Sequence, residues 1–464
     1  MMAIKEKYAP WMFILFPAIA MMLGWGLRGH IGGGPFGAMI PGAMVALTIC
    51  LLLEIPSAIT AVIVVFGVVG IGLGGEMTYG QTLGFLRNPE TVWWGILATT
   101  IKGAVWGVLG GTVLSIGFVF KNISKKTILI SLLIMMAGML LGFKLINEPM
   151  IIYFSDRAKP RSESWAALLF GAIALIIYLR FKISKADFSI VSRFSIWGLI
   201  GGGLGFGLGG LWMVTGSRMP DGIIFHAWWK SMEFTFGLLL GAALGFAAWI
   251  SRKELKAKWN QTVLNKDYVF KTSYKELGIA LLAGTMIFAV IPYSLEPFAY
   301  AAINSESIFM TVLGSVARIL VNYAFYGLIL ITVALYFPKA AWQIGITLTF
   351  CHTVIDLADD HLVEVFTGSP ILASILVTVI ATILVGLITA YYQGKNNQNR
   401  SMLMILTWST VFISTFKIIF YPQKMNLAGL SFNQIIFGLF IVDIAFLVFA
   451  VMVTWITLGK IRTG

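Results

Sequence analysis

His352, Asp356, Asp359 or Asp360, and Glu364 follow one another at spacings of three and four in CHTVIDLADDHLVEVF, Cys351 to Phe366, with His361 nearby. On a helix that spacing gathers them on one stripe. Carboxylates with a histidine can bind a divalent cation, coordinate Na⁺ or relay protons, and His352, Asp356 and Asp360 are the ligands expected here. The plain alternative is a wet helix end, but the helix dipole disfavours acidic residues at a C-terminus. Arg318 and Asn322, one turn apart, are the expected partners of this stripe.

A second group follows HAWWKSMEF: His226, Lys230 and Glu233 at i, i+4 and i+7 share one helical face. Glu76, Tyr79 and Gln81, and also Arg218 and Asp221, fall in comparable surroundings. Lys102 and Lys230 lie within apolar runs, where ionisable residues are costly and usually face a bundle interior or a pathway. They read either as lining of a path or as structural ion pairs, for example Glu76 with Lys102.

The third group is the stretch GWGLRGHIGGGPFGAMIPGAM, Gly24 to Met44. Glycines before Pro35 predict a turn into a new helix, since proline suits the first helical turn. The free amides of that turn, beside Arg28, His30, Gly33 and Gly34, would receive an anionic or strongly polar group. The alternative is a tight hairpin whose arginine snorkels to lipid headgroups.

What must position these residues is a membrane bundle. Of 464 residues 58% are hydrophobic and 11% charged, far from the balance of a soluble domain. The net charge of +13 would suggest a nucleic-acid partner in a soluble protein; here the partners expected are membrane lipids and a small polar solute. Apolar runs predict an all-α polytopic integral membrane protein of about 14 transmembrane helices, near residues 9–27, 36–53, 56–74, 92–120, 127–146, 163–181, 191–215, 222–250, 275–293, 308–336, 339–357, 369–392, 402–421 and 432–458. Basic residues concentrate at the termini and in the even-numbered loops, for example Lys5, Lys125, Lys185 and Lys253. Because Lys and Arg accumulate in the cytoplasm, both termini are expected there, in a cytoplasmic (inner) membrane, with an uncleaved first helix. Cys50 and Cys351 sit inside apolar runs and read as packed thiols.

GIGLGGEMTYGQTLGFLRNPETVWWG, Gly70 to Gly95, aligns without a gap on GFGLGGLWMVTGSRMPDGIIFHAWWK, Gly205 to Lys230, and GWGLRGH is a third copy. The predicted unit is a glycine-rich helical hairpin repeated in parallel. Gly103, Gly107 and Gly111, with Gly237, Gly241 and Gly245, are spaced for close helix packing. The alternate-residue glycines of GxGLxG instead predict irregular or broken helix ends, tolerated at membrane depth only inside protein or beside water. Most of the tryptophans suit the membrane interface, while Trp25, Trp106 and Trp212 lie among the glycine motifs, where they could stack on an organic solute. The expected organisation is a bundle over 1–250, a basic loop over 251–276 and a second bundle over 277–464.

Kinase, P-loop, Rossmann, HExxH and GxSxG patterns are absent. The reading these residues support is a transporter of a small polar or anionic organic solute by alternating access, coupled to H⁺ or Na⁺. Arg28, His30 and the turn would hold the solute near the outer side, Glu76, Lys102, His226, Lys230, Glu233 and Arg318 would line its path, and the His352 stripe would carry the ion. The alternative is a membrane transferase or hydrolase with a metal on that stripe as Lewis acid. A scaffold subunit would need no buried charge.

Overall fold

Proline opens the first two helices. α1 (Pro10–Arg28) and α2 (Gly34–Leu52) both carry proline in their first turn, where its missing N–H costs nothing. Between them Gly34 takes φ +74° with nothing within 4 Å of where a Cβ would stand, so glycine is needed there for backbone conformation and not for space. The computed structural model describes residues 8–31, 33–161, 163–218, 225–263, 274–362, 370–393, 395, 397–420 and 441–459; for 225–227, 260–263, 274, 357–362, 370 and 417–420 it describes the backbone alone. Every described element is helical. The protein is an all-helical, multi-pass membrane protein.

α3 (Ser57–Leu73), the short α4 (Gly80–Phe85) and α5 (Val92–Val119) follow, then α6 (Lys125–Gly142), α7 (Trp165–Lys182), α8 (Lys185–Gly216) and α9 (Phe225–Val263). Ser124 and Ser184 cap α6 and α8 by accepting from the amides of Thr127 and Asp187. Six of these helices pack into a closed ring in the order α1, α2, α3, α5, α8, α9 and back to α1. Small residues set each seam. A Cβ on Gly42 would stand 2.3 Å from the Gly67 carbonyl oxygen, one on Gly107 1.8 Å from that of Gly198, and one on Gly103 2.2 Å from that of Gly202. At the closing seam a Cβ on Gly245 would stand 1.9 Å from the Phe13 oxygen. Pro17, inside α1, cannot donate to that carbonyl four residues back, and the bare Gly245 backbone covers it instead.

α6 and α7 pair outside this ring, α7 against α5 and α8 and α6 against α13, Tyr323–Tyr336. The remaining helices are α10 (Tyr274–Thr285), α11 (Glu296–Ile303), α12 (Ile308–Leu320), α13 (Tyr323–Tyr336), α14 (Thr349–Leu362), α15 (Pro370–Tyr392), α16 (Gln398–Phe420) and α17 (Ile441–Leu458). Of these α13, α14 and α16 lean on α3, α2 and α1.

Among the described residues eleven helices are long and apolar enough to cross a membrane, or twelve if α12 and α13, bent by 53° at their junction, form one span. The expected spans 339–357 and 402–421 lie outside that set. The first is divided into a 3₁₀ turn at Pro338–Ala340, a π-helical segment Gln343–Leu348 and α14. It is nonetheless packed inside the protein, with Gln343 donating to the Gly386 carbonyl at 3.0 Å and Thr347 to Gln343 at 2.6 Å. Ser251 to Val263, expected in a loop, continues α9.

The broken end expected at the GxGLxG motif of α8 is corrected: α8 runs unbroken through Gly205 to Gly210. The other two helices do end inside their copies, α1 at Arg28 and α3 at Leu73, where a 3₁₀ turn, Gly74–Glu76, follows. The glycines admit neighbours: a Cβ on Gly26 would stand 2.3 Å from the Phe234 ring and one on Gly207 2.4 Å from the Thr100 hydroxyl.

Candidate functional site

Two polar centres lie at the end of the bundle that carries residues 29–31 and 33 and the connection 77–91, one inside the ring and one beside it.

The first begins where α1 stops. The His30 amide bonds to the Leu27 carbonyl, not to that of Gly26, which leaves the Gly26 oxygen as one of the orphans of a helix end. Lys230 from α9 takes it, its Nζ donating to Gly26 at 3.0 Å and to Glu233 Oε2 at 2.8 Å. Glu233 Oε1 accepts from the Trp229 indole at 2.9 Å and from the Tyr79 hydroxyl at 3.4 Å. The Tyr79 hydroxyl in turn accepts from Arg28 Nη1. Lys230 and Glu233 are fully buried, and Arg28 is 1% exposed.

Arg28 is the unusual member. Its guanidinium carbon lies 5.7, 5.1 and 5.2 Å from the ring centroids of Trp25, Tyr79 and Trp106, a cation held by π faces. Its Nε has no hydrogen-bond partner among the described residues, and none of their carboxylates forms an ion pair with it. Burial pushes the Tyr79 phenol up to about 12, against the opposing pull of Arg28, so it remains a neutral donor. The stability its proton supplies is complete below the ordinary phenol value of 10 and is lost as pH climbs through about 12.

Gly29 lets α1 end on this ion pair. A Cβ there would sit 2.0 Å from Glu233 Oε2 and 2.1 Å from Lys230 Nζ. Gly29→Ala is expected to destabilise the protein by about 1–3 kcal/mol, the usual cost of overpacking; thermal unfolding in detergent checks this, and an unchanged midpoint would contradict the contact.

Lys102 belongs to neither of these two centres but to a buried ion pair of its own. Its ammonium spends all three donors, on Glu163 Oε1 at 2.8 Å, the Thr78 carbonyl at 2.6 Å and the Thr82 hydroxyl at 2.7 Å. Glu163 also accepts from the Ser155 hydroxyl at 2.6 Å and the Phe154 amide at 3.1 Å. The partner of Lys102 is therefore Glu163, not Glu76.

Glu76 faces the second centre, a cavity of about 840 Å³. Its Oε1 accepts from the Tyr323 amide at 3.1 Å and so caps α13, while the Asn322 side chain accepts from Ala324 at 2.9 Å. Glu76, Glu296, Arg318, Asn322 and Tyr326 supply polar lining; Met139, Leu140, Ile287 and Ile291 supply an apolar flank. Irregular backbone walls it: the junction of α12 and α13, a π-helical stretch at Phe143–Asn147, and another over Met286–Leu295 that contains Pro292. π-helical turns are frequent at functional sites. Helix breaks, expected at the GxGLxG ends, are found here as well.

The turn before α2 touches both centres. A Cβ on Gly33 would lie 3.5 Å from Arg28 Nη2, while Pro35 and Phe36 line the cavity, and a Cβ on Gly75 would stand 2.4 Å from the Gly34 oxygen. Of the expected solute-binding residues, Arg28, Gly33, Lys230 and Glu233 come together in the ring. Gly34 stands between the centres, and Glu76 and Arg318 line the cavity. His30 is buried, its ring centroid 5.6 Å from that of Phe446. The side chain of His226 lies outside the described residues.

Of the expected metal or ion ligands, His352 lies against the Phe36 and Phe288 rings at 5.8 and 6.0 Å between centroids, stacked on the second. Asp356 is half-buried, and the side chain of Asp360 lies outside the described residues. Among the described residues no three of His, Cys, Asp and Glu group closely enough to hold a metal ion. Glu163 and Tyr326 were not singled out from the sequence, and Tyr79 was named only beside Glu76 and Gln81. The signal available for Glu163 was a lone carboxylate two residues before the apolar run that starts at Trp165. No protein-family model matches the chain, nor does any curated protein or solved structure.

Proposed function

We propose that the protein is a transporter of a small polar organic solute, coupled to H⁺ or Na⁺, that admits its solute through the cavity beside Glu76 and passes it by the Arg28 centre. One observation carries the reading. A chamber of about 840 Å³, within the size range of organic-ligand sites, is walled by broken and π-helical backbone and holds acidic and phenolic groups among apolar spans. Helix breaks beside a polar chamber are the usual device of secondary transporters. The preference for an anionic solute rests on Arg28 alone, a buried cation among the Trp25, Tyr79 and Trp106 rings without a carboxylate partner among the described residues.

Two further expectations support this reading. Lys125 opens α6, whose other end lines the cavity at Met139 to Phe143, which agrees with a cavity facing away from the cytoplasm of an inner membrane. The six-helix ring also fits three parallel copies of one glycine-rich hairpin, α1 with α2, α3 with α5, and α8 with α9. In each copy Gly24, Gly70 or Gly205 lies against its own partner helix, while Gly42, Gly107 and Gly245 contact the neighbouring copy.

The test is to screen purified protein for thermal stabilisation by sugars, sugar acids, carboxylates and amines, then to measure uptake of each stabilising solute into proteoliposomes. The expected result is saturable accumulation that depends on a proton or sodium gradient. A solute that binds, stays outside and is converted to a product would overturn transport and favour the enzyme.

A further inference from the structure

The cavity's chemistry differs from that of Arg28. Glu76, Glu296 and Tyr326 all line it, and the Tyr326 phenol lies within electrostatic reach of both carboxylates. Tyr326 is 7% exposed and lines the cavity, yet its hydroxyl has no hydrogen-bond partner among the described residues. A buried hydroxyl left unmatched costs free energy, and here it stands beside two carboxylates that form no ion pair among the described residues: the Lys144 ammonium at the rim is taken by Glu148 at 2.6 Å. Arg318 lines the cavity from an exposed position on α12. Beside the carboxylates stand π faces, with Phe36 at 5.5 Å from Tyr323 and 6.3 Å from Tyr326 between centroids, and beyond them the apolar flank of α6.

From this arrangement we propose that the cavity binds an organic ammonium ion, its cationic head between Glu76, Glu296 and the Tyr326 hydroxyl and its apolar body along Phe36 and Met139. Carboxylates with aromatic faces are the recognised chemistry for such a head, and a chamber this large exceeds what a bare alkali cation fills. The proposal gives the solute of the transport reading a positive charge, opposite to the preference drawn from Arg28, and it rests on that reading only in taking the cavity as the solute's entrance. It is tested by binding, so its failure and the failure of transport are separable.

The probe is 2-phenylethylammonium, with 3-phenylpropionate as a near-isosteric anion, titrated calorimetrically into the full-length protein in nanodiscs. Glu76→Gln keeps an oxygen for the Tyr323 amide and so preserves the cap on α13; Glu296→Gln, at the start of α11, is independent of that cap. The amine is expected to bind and the acid not to, with each single variant weakening the amine about tenfold and the double variant more. Tyr326→Phe should weaken it by a smaller factor. Equal or tighter binding of 3-phenylpropionate, unchanged amine affinity in the double variant, or no amine binding while Na⁺ alone gives a carboxylate-dependent signal would each overturn the proposal.

Discussion

Glu163→Ala will destabilise the folded protein by about 3–5 kcal/mol, the cost of leaving a buried cation without its carboxylate. Lys102 and Glu163 are at most 1% exposed, so no solvent screens the loss. The same change also strips the Ser155 hydroxyl and the Phe154 amide of their acceptor. Removing both charges together, as Lys102→Met with Glu163→Leu, should cost less than the sum of the single changes, because an apolar pair of similar volume needs no counter-charge. Denaturant unfolding of the two single variants and the double variant makes the comparison. Strict additivity would show that the two groups do not act as a pair.

Arg28→Ala should act on transport and not on folding. Without a carboxylate to orphan, its removal forfeits contacts with three π faces and one phenol, about 1–2 kcal/mol. Uptake of a solute identified by the stabilisation screen should fall to the level of protein-free liposomes. Lys230→Ala should behave in the opposite way: it strands Glu233 in the ring interior and reopens the Gly26 carbonyl, so the protein should unfold before uptake can be read, at a cost of about 3–5 kcal/mol. A folded Arg28→Ala variant that transports normally would remove the ring centre from the pathway.

What could be read from the residues follows from how local each feature is. Gly34 and Pro35 announce the start of α2 because backbone freedom and a missing N–H are properties of single residues. Lys230 and Glu233 share a face because helical spacing alone brings them together. Gly103 and Gly107 signal close packing by their four-residue interval, but not the partner they would meet. Glu163 lies 61 residues from Lys102, and Tyr79 lies 154 from Glu233; no periodicity connects positions so far apart. The GxGLxG segment of α8 was misread because the property that lets glycine break a helix also lets another helix approach it, and sequence cannot say which is used. The break between α12 and α13 was hidden for the converse reason: Val321 and Asn322 interrupt an apolar run without glycine or proline, and the bend is held by capping from Glu76 and Asn322.

The central claim is that the space beside Glu76 is a water-filled chamber. Both native cysteines, Cys50 and Cys351, are buried, so a single introduced thiol can report on it. Ser164 lines the cavity, is half-buried and makes no capping bond. In proteoliposomes, Ser164→Cys should react with membrane-impermeant methanethiosulfonates, and faster with the cationic reagent than with the anionic one. No reaction at Ser164→Cys, while the exposed loop variant Ala158→Cys is fully modified, would mean the chamber is sealed from water and would contradict the account.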